Sequence, residues 1–323
     1  MSAPNRDRIS RLQSWHDDWS GLKIGVHGLG EIGFSVADTL TELGSSVRVL
    51  HTMPDAERER LIQVIGAEHL EVSQESMLRE FTQFEPDLIV VTPTTPLDDP
   101  VIDWAARQDI AVWSDTDLAW RLRDKTGRVA DWICVTGSSG AAGTAEFAAH
   151  MLHEGGLRVT PVGPSGMPVL DAIRDPQGFD VLVLDLSSEQ LHWMNQISPF
   201  ASLCFTLDPN AAGAHSNPGA HASALARVYE NTMIACVYNR ADRATEAMVE
   251  GADVIEGARA ISFGLDSPPP SGFGMVEGLL IDRGFHAERR SEALELLSLE
   301  ELSAQGLATP HTVQQILAAA ASA

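Results

Sequence analysis

Residues 133–150 read ICVTGSSGAAGTAEFAAH. Ile133 to Val135 is a short apolar run of the kind that forms a buried strand. Thr136 to Gly140 is a small turn bounded by glycine, and from Ala142 onward Ala, Phe and Leu recur at helical spacing. Strand, tight turn and helix in that order make a phosphate cradle, because backbone N–H groups at a helix N-terminus face the anion. The side chains such a cradle uses are missing. Ala141 stands where a lysine would reach the phosphates, and Ala142 where a Ser or Thr would hold Mg2+.

A related layout opens the chain. Leu22 to His27 reads as a strand, and Gly28, Gly30, Glu31, Ile32 and Gly33 follow within a GxGxxG turn that leads into helical periodicity. Val47 to Leu50 is the second strand of this βαβ start. A dinucleotide site expects an acidic residue near the end of that strand, and His51 occupies the place, which weighs against NAD. The alternation continues with a helix at 58–66, a strand at 88–92, a helix at 99–108, a strand at 110–113 and a helix at 115–123. Such repetition implies a parallel sheet covered on both faces. Residues 1–20 are expected to be helical, with Trp15 and Trp19 at i,i+4 on one face. The polar segment 124–128 reads as a hinge and a first domain boundary.

Beyond it, strands are expected at 158–162, 180–186, 202–207, 233–238, 260–263 and 275–282, and helices at 219–231 and 312–321. With 323 residues the chain is long enough for two cores. A net charge of −23, with only 22 Lys and Arg, excludes nucleic acid as a natural partner, since that binding rests on cations neutralising phosphates. No apolar run reaches membrane-spanning length and the N-terminus has no signal-peptide pattern, so membrane insertion is not expected and the cytoplasm is. Cys134, Cys204 and Cys236 sit in apolar runs without CxxC spacing and read as buried thiols.

The ordered set GLGEIGF (28–34), VTGSSGAAGT (135–144), GPSGMPVLD (163–171), LDLSSEQL (184–191), RVYEN (227–231), VYNRAD (237–242), ISFGLD (261–266) and PHTVQQILAAA (310–320) resembles the Mur ligases. The match is to the type that adds D-glutamate to UDP-N-acetylmuramoyl-L-alanine, and most of all to its actinobacterial members. The resemblance implies an α/β fold. It places a Rossmann-like UDP-substrate domain at 1–128 and a P-loop-like, ATP-binding type central domain at 129–323. It also implies a third, amino-acid-binding domain, expected to be absent from this chain. The implied reaction is ATP-dependent ligation in peptidoglycan synthesis.

Residue by residue, the resemblance implies nucleotide-loop positions at Gly137, Ser138, Ser139, Gly140, Ala141, Ala142 and Thr144. It implies UDP-site positions at Gly28, Gly30, Glu31, Ile32, Gly33, His51 and Thr52, with Thr94 replacing a glycine and Glu31 opposing the diphosphate. Asp185 and His215 are the residual metal candidates, with Glu189 read as an exposed charge. Function is expected to be lost at Ala211, where a metal histidine would stand, at Leu225, the place of a carbamylated lysine, and at Gln315, the place of an adenine-side asparagine. Pro164 replaces a further asparagine.

No catalytic residue is therefore assigned. ATP and Mg2+, implied by the resemblance, are expected to bind weakly or not at all. The expectation is an impaired or inactive homologue, with free N–H groups at Ser138 to Ala141 able to hold a lone phosphate. One alternative is an active ligase with Asp185, Thr144 and His215 regrouped on the metal and a third domain supplied in trans. Others are a scaffold for cell-wall enzymes and a plain NAD oxidoreductase. The UDP-muramoyl substrate and cell-wall enzymes are the implied partners.

Overall fold

The structure, a computed structural model, describes residues 3–163 and 166–323. Pro164 lies outside the described residues. The chain divides into two compact units. One takes the residues up to Val129 together with Pro168–Gly178 and Trp193–Gln196, and the other takes the remainder.

The first unit runs α1 (Ala3–Arg11), β1 (Lys23–His27), α2 (Gly30–Glu42), β2 (Ser46–His51), α3 (Ala56–Val64), β3 (Glu68–Glu71), α4 (Gln74–Phe84), β4 (Leu88–Val91), α5 (Pro100–Gln108), β5 (Ala111–Ser114) and α6 (Asp115–Leu122). Its sheet is parallel throughout, in the order β3-β2-β1-β4-β5. β1 and β4 are apolar and buried, as a strand covered on both faces must be. A core of Leu50, Met77, Phe81, Ile89, Val91, Val101, Ala105 and Ile110 fills one face. Phe81 and Met77 come from α4, whose apolar residues recur at i, i+4 and i+7.

Two later segments are tied into this unit by charge and hydrogen bonding. Arg174 lies 2.6 Å from Asp38 and 3.0 Å from Glu42 on α2. Arg121 bonds Gln196, and the Asn195 N–H donates to Asp117 at 2.8 Å. The expected N-terminal helix stops at Arg11. Trp15 lies in a turn whose N–H donates to Asp124, so it does not share a helix face with the buried Trp19.

The second unit contains β6 (Asp131–Thr136), α7 (Ala141–Glu154), β7 (Val159–Val162), β8 (Val181–Asp185), α9 (Ser188–Trp193), β9 (Ala201–Cys204), α10 (Pro218–Ala226), β10 (Ala235–Asn239), α11 (Arg243–Glu250), β11 (Arg259–Phe263), β12 (Gly272–Val276), β13 (Leu279–Asp282), β14 (Leu294–Ser298), α12 (Leu299–Ala304) and α13 (Pro310–Ser322). The short helix α8 (Val169–Arg174) precedes β8 and belongs to the first unit. The sheet order is β14-β13-β12-β11-β10-β9-β6-β8-β7, parallel from β7 to β12 and antiparallel from there to β14. α7 and α13 pack together over this sheet, with Ala145, Ala148, Ala318 and Ala319 in a core with Val135, Leu203 and Phe263. Small side chains let the two helices approach closely.

The single strand expected at 275–282 is instead a hairpin. Glu277 and Gly278 both take positive φ (50° and 83°), the backbone of a tight two-residue turn, and Met275 pairs with Leu280. Cys134, Cys204 and Cys236 are buried and free, and burial pushes the Cys134 and Cys204 thiols up to about 12. Among the described residues no helix is long and apolar enough to cross a membrane.

Candidate functional site

In the first unit, β1 lies between β2 and β4, so the strand order reverses there. Ligands of open α/β sheets collect at the carboxyl ends of the strands at such a point. A cavity of about 370 Å3 occupies it, lined by Gly28, Gly30, His51, Thr52, Gln74 and Thr94 among others. Glu31, Ile32 and Gly33 are not in its wall, and the Glu31 side chain is exposed.

The glycines are required by space. A Cβ on Gly33 would stand 2.2 Å from the Gly28 carbonyl oxygen, so the start of α2 can press against the turn only with glycine there. The first N–H groups of α2 have no partner within the helix and make its start a place for an anion.

The polar wall of this cavity rests on a group missed in the sequence reading. His27 Nε2 donates to Asp99 Oδ2 at 3.1 Å, and Asp99 also accepts from Gln74 Nε2 (2.7 Å) and from the Val101 N–H (2.8 Å). Burial raises the Asp99 carboxyl, but the hydrogen bonds from His27 and Val101 outweigh it and hold it below the ordinary carboxylate range. Asp99 precedes Pro100 at the start of α5, a capping pattern visible in sequence. Its partner at the end of β1 was not.

In the second unit, β6, the turn 137–140 and α7 form the expected strand–turn–helix. Gly140 has φ 80°, and a Cβ there would meet the Phe205 ring at 2.5 Å. His311, at the start of α13, packs edge-on against the same ring. The Ser138 N–H donates to the Thr206 carbonyl at 2.8 Å, so the expectation of free N–H groups from Ser138 to Ala141 is corrected at Ser138. Its hydroxyl oxygen accepts from the Asp208 N–H.

The Thr144 hydroxyl donates to the Gly140 carbonyl at 2.9 Å from a fully buried position, and Gln315 Nε2 donates to the same oxygen at 3.0 Å. Ala141 is buried, while Ala142 and Ser139 are exposed. Two alanines and a committed threonine hydroxyl do not supply the cation and free hydroxyl that a phosphate and Mg2+ site uses.

The residual metal candidates are not drawn into one ligand set. Asp185 ends β8, and burial raises its carboxyl. His215 lies elsewhere, in a cluster of three histidines, its ring centre 5.8 Å from that of His192 and 5.5 Å from that of His221. Burial, then the neighbouring His215, push His192 and His221 down. Both ring nitrogens of His221 and Nε2 of His215 are buried without hydrogen-bond partners.

Glu189 is corrected from an exposed charge. It is half-buried, and although burial raises its carboxyl, bonds from its own and the Ala214 backbone and from Ser187 and Ser188 hold it low. Leu225 is buried in α10 and Ala211 is half-buried in the loop before it. Residues 192, 215 and 221 are spread over a helix, a loop and the next helix, so no local spacing announces the histidine cluster.

These two α/β units together have the fold of Mur ligases. The chain aligns with the UDP-N-acetylmuramate:L-alanyl-gamma-D-glutamyl-meso-diaminopimelate ligase from Neisseria meningitides over 94% of its length and 93% of that chain, with a TM-score of 0.55 and 15% identity. It aligns with a murein peptide ligase from Psychrobacter arcticus over 93% and 65%, with a TM-score of 0.51 and 14% identity. Sequence identity is higher among proteins named UDP-N-acetylmuramoylalanine–D-glutamate ligase. It is 54% with that of Leifsonia xyli subsp. xyli, over 99% of this chain and 64% of the relative. It is 39% with that of Tropheryma whipplei strain Twist, over 98% and 66%, and 39% with that of Streptomyces coelicolor, over 94% and 64%. The chain belongs to the Mur ligases, and it spans about two thirds of the length of these relatives. No family model matches it.

Proposed function

We propose that this chain is a homologue of the ligase that joins D-glutamate to UDP-N-acetylmuramoyl-L-alanine, keeping the nucleotide-sugar pocket of its first unit and lacking ATP-dependent chemistry in its second. The observation that carries the reading is the state of the turn at 137–144. Its backbone keeps the strand–turn–helix course of a phosphate cradle, but Ala141 and Ala142 offer no charge or hydroxyl, and the Thr144 hydroxyl is spent on the Gly140 carbonyl. A charge-assisted hydrogen bond is worth about 1.5–3 kcal/mol in a ground state. Losing one donor aimed at transition-state charge commonly lowers the rate about 100-fold or more. Two such groups absent from one site, with Leu225 and Ala211 at two further family positions, leave little for phosphoryl transfer to use.

The substrate side is different in kind. The 370 Å3 cavity sits at the carboxyl end of β1, with a helix start and the hydroxyls of Thr52 and Thr94 in or beside its wall. A UDP-linked sugar is the ligand this reading assigns to it. The test is a phosphate-release assay with UDP-N-acetylmuramoyl-L-alanine, D-glutamate and Mg-ATP. No release above background is expected, and turnover at an ordinary ligase rate overturns the proposal.

A further inference from the structure

A second group of side chains in the first unit shares only His51 with the wall of the cavity above and has the character of a metal site. His51 ends β2 and His69 lies in β3, whose register sets His69 beside Val49. Residues 49 and 51 of a strand point to one face, and neighbours in a parallel pair share it, so the two imidazoles stand on the same side of the sheet. Their rings stack with centres 5.8 Å apart. α3 connects the two strands and brings Glu59 to them, with Glu59 Oε1 4.0 Å from His51 Nε2. One ring nitrogen from each histidine and one Glu59 oxygen all lie within 4.8 Å of one another, the one such group of three or more among the described residues.

The hydrogen bond at His51 prepares that ring for a cation. His51 Nδ1 lies 2.9 Å from the Met53 carbonyl, which can only accept, so Nδ1 carries the proton and Nε2 keeps a lone pair. That Nε2 is buried without a hydrogen-bond partner, and His51 as a whole is only 2% exposed. His69 Nδ1 is likewise buried and unpartnered, while the Gln63 amide nitrogen donates to Nε2 at 3.1 Å, so metal binding at Nδ1 requires that amide to turn over. With that amide turned so that its oxygen accepts from Nε2–H, His69 Nδ1 also presents a lone pair. Gln63 and Glu59 are one helical turn apart on α3, so ligand and supporting group share a face. Glu59 is oriented in turn by the Asp55 N–H, which donates to Oε1 at 3.0 Å.

We infer that His51, His69 and Glu59 bind a transition-metal dication of the zinc type, with the fourth position left to water or a ligand. Two imidazoles and one carboxylate suit zinc, cobalt or nickel better than Mg2+ or Ca2+, which prefer oxygen. Zinc–ligand bonds of about 2.1 Å put neighbouring ligand atoms roughly 3.4 Å apart, so the side chains need to close by an ångström or so. The site does not rest on the proposed loss of ATP chemistry.

The test is titration of the chelator-treated full chain with zinc chloride, followed by calorimetry and native mass spectrometry. One zinc per chain is expected. His69→Gln and Glu59→Gln, both at partly exposed residues, are each expected to weaken binding at least about tenfold, and their combination to abolish it. Cobalt in place of zinc is expected to give visible bands of a low-coordinate nitrogen and oxygen site that vanish in the double variant. The pair His215→Ala and His221→Ala, in the separate histidine cluster, is expected to leave uptake unchanged. Absence of stoichiometric uptake overturns the inference, as does uptake that survives the His69 and Glu59 changes. Circular dichroism confirms that each variant is folded before it is scored.

Discussion

The glycine turns at 28–33 and 137–140 share a backbone plan and differ in what stands against them. Each follows a buried strand and opens a helix, and each contains glycines that no other residue can replace without movement. The first faces a cavity of about 370 Å3. The second is approached by the Phe205 ring, the Thr206 carbonyl and the Gln315 amide, and its Gly140 carbonyl oxygen is bonded by both Thr144 and Gln315. A glycine turn at a helix start therefore specifies a path for the backbone. Ligand capacity is decided separately, by the side chains that surround the turn.

Substitutions in the two turns test that separation. Gly33→Ala is expected to have the largest effect. Its Cβ would meet a backbone carbonyl at 2.2 Å, which cannot rotate away, and a loss of about 3 kcal/mol or more is expected from overpacking. Gly140→Ala follows at about 2–3 kcal/mol, because the Phe205 ring can tilt although the positive φ remains unfavourable. Gly30→Ala, at φ 82° but with nothing within 4 Å of its Cβ, is expected to cost only the backbone term, about 1–2 kcal/mol. Urea unfolding read separately for the two units checks this order. Equal costs at Gly30 and Gly33 would break the account of why α2 sits so close to the first turn.

The wall of the open site gives a pH prediction. The folded Asp99 carboxyl lies below its unfolded value, so its stabilisation is complete above the unfolded pKa, about 3.9, and is lost as pH falls through the folded value. Asp99→Asn is expected to flatten the acid limb of the stability profile and, by setting an amide NH2 against the His27 and Gln74 donors while its oxygen stays on the Val101 N–H, to cost about 2–3 kcal/mol at neutral pH. A wild-type acid limb unchanged in the variant would contradict this. The smallest effect is expected at Gln315→Ala, about 1 kcal/mol by thermal unfolding, because Thr144 still bonds the Gly140 carbonyl.

Much of this contrast was readable from residue order alone. Strands β1, β4, β6 and β8 are short apolar runs bounded by turn residues, and the two glycine turns announce themselves. β3, reading EHLE, did not, because an edge strand with exposed side chains is held by backbone pairing to β2 and carries no apolar signal. Without β3 there was no reason to place His69 beside His51. The break at Glu277 and Gly278 was missed because the apolar residues on either side read as one run. His27 with Asp99, 72 positions apart, and the His192, His215 and His221 cluster depend on tertiary pairing that no local pattern records. The alanines at 141 and 142 were visible at once. The commitment of the Thr144 hydroxyl and the Ser138 N–H to other carbonyls is set by the folded turn and by β9 beside it, which residue order does not record.

The most direct test of the contrast is calorimetric titration of the full chain, first with UDP-N-acetylmuramoyl-L-alanine and then, separately, with Mg-ATP. The account predicts saturable one-site binding of the UDP-linked sugar, removed by Gly33→Ala, and no measurable heat with Mg-ATP. Micromolar binding of Mg-ATP, or failure to bind the UDP-linked sugar, would contradict it.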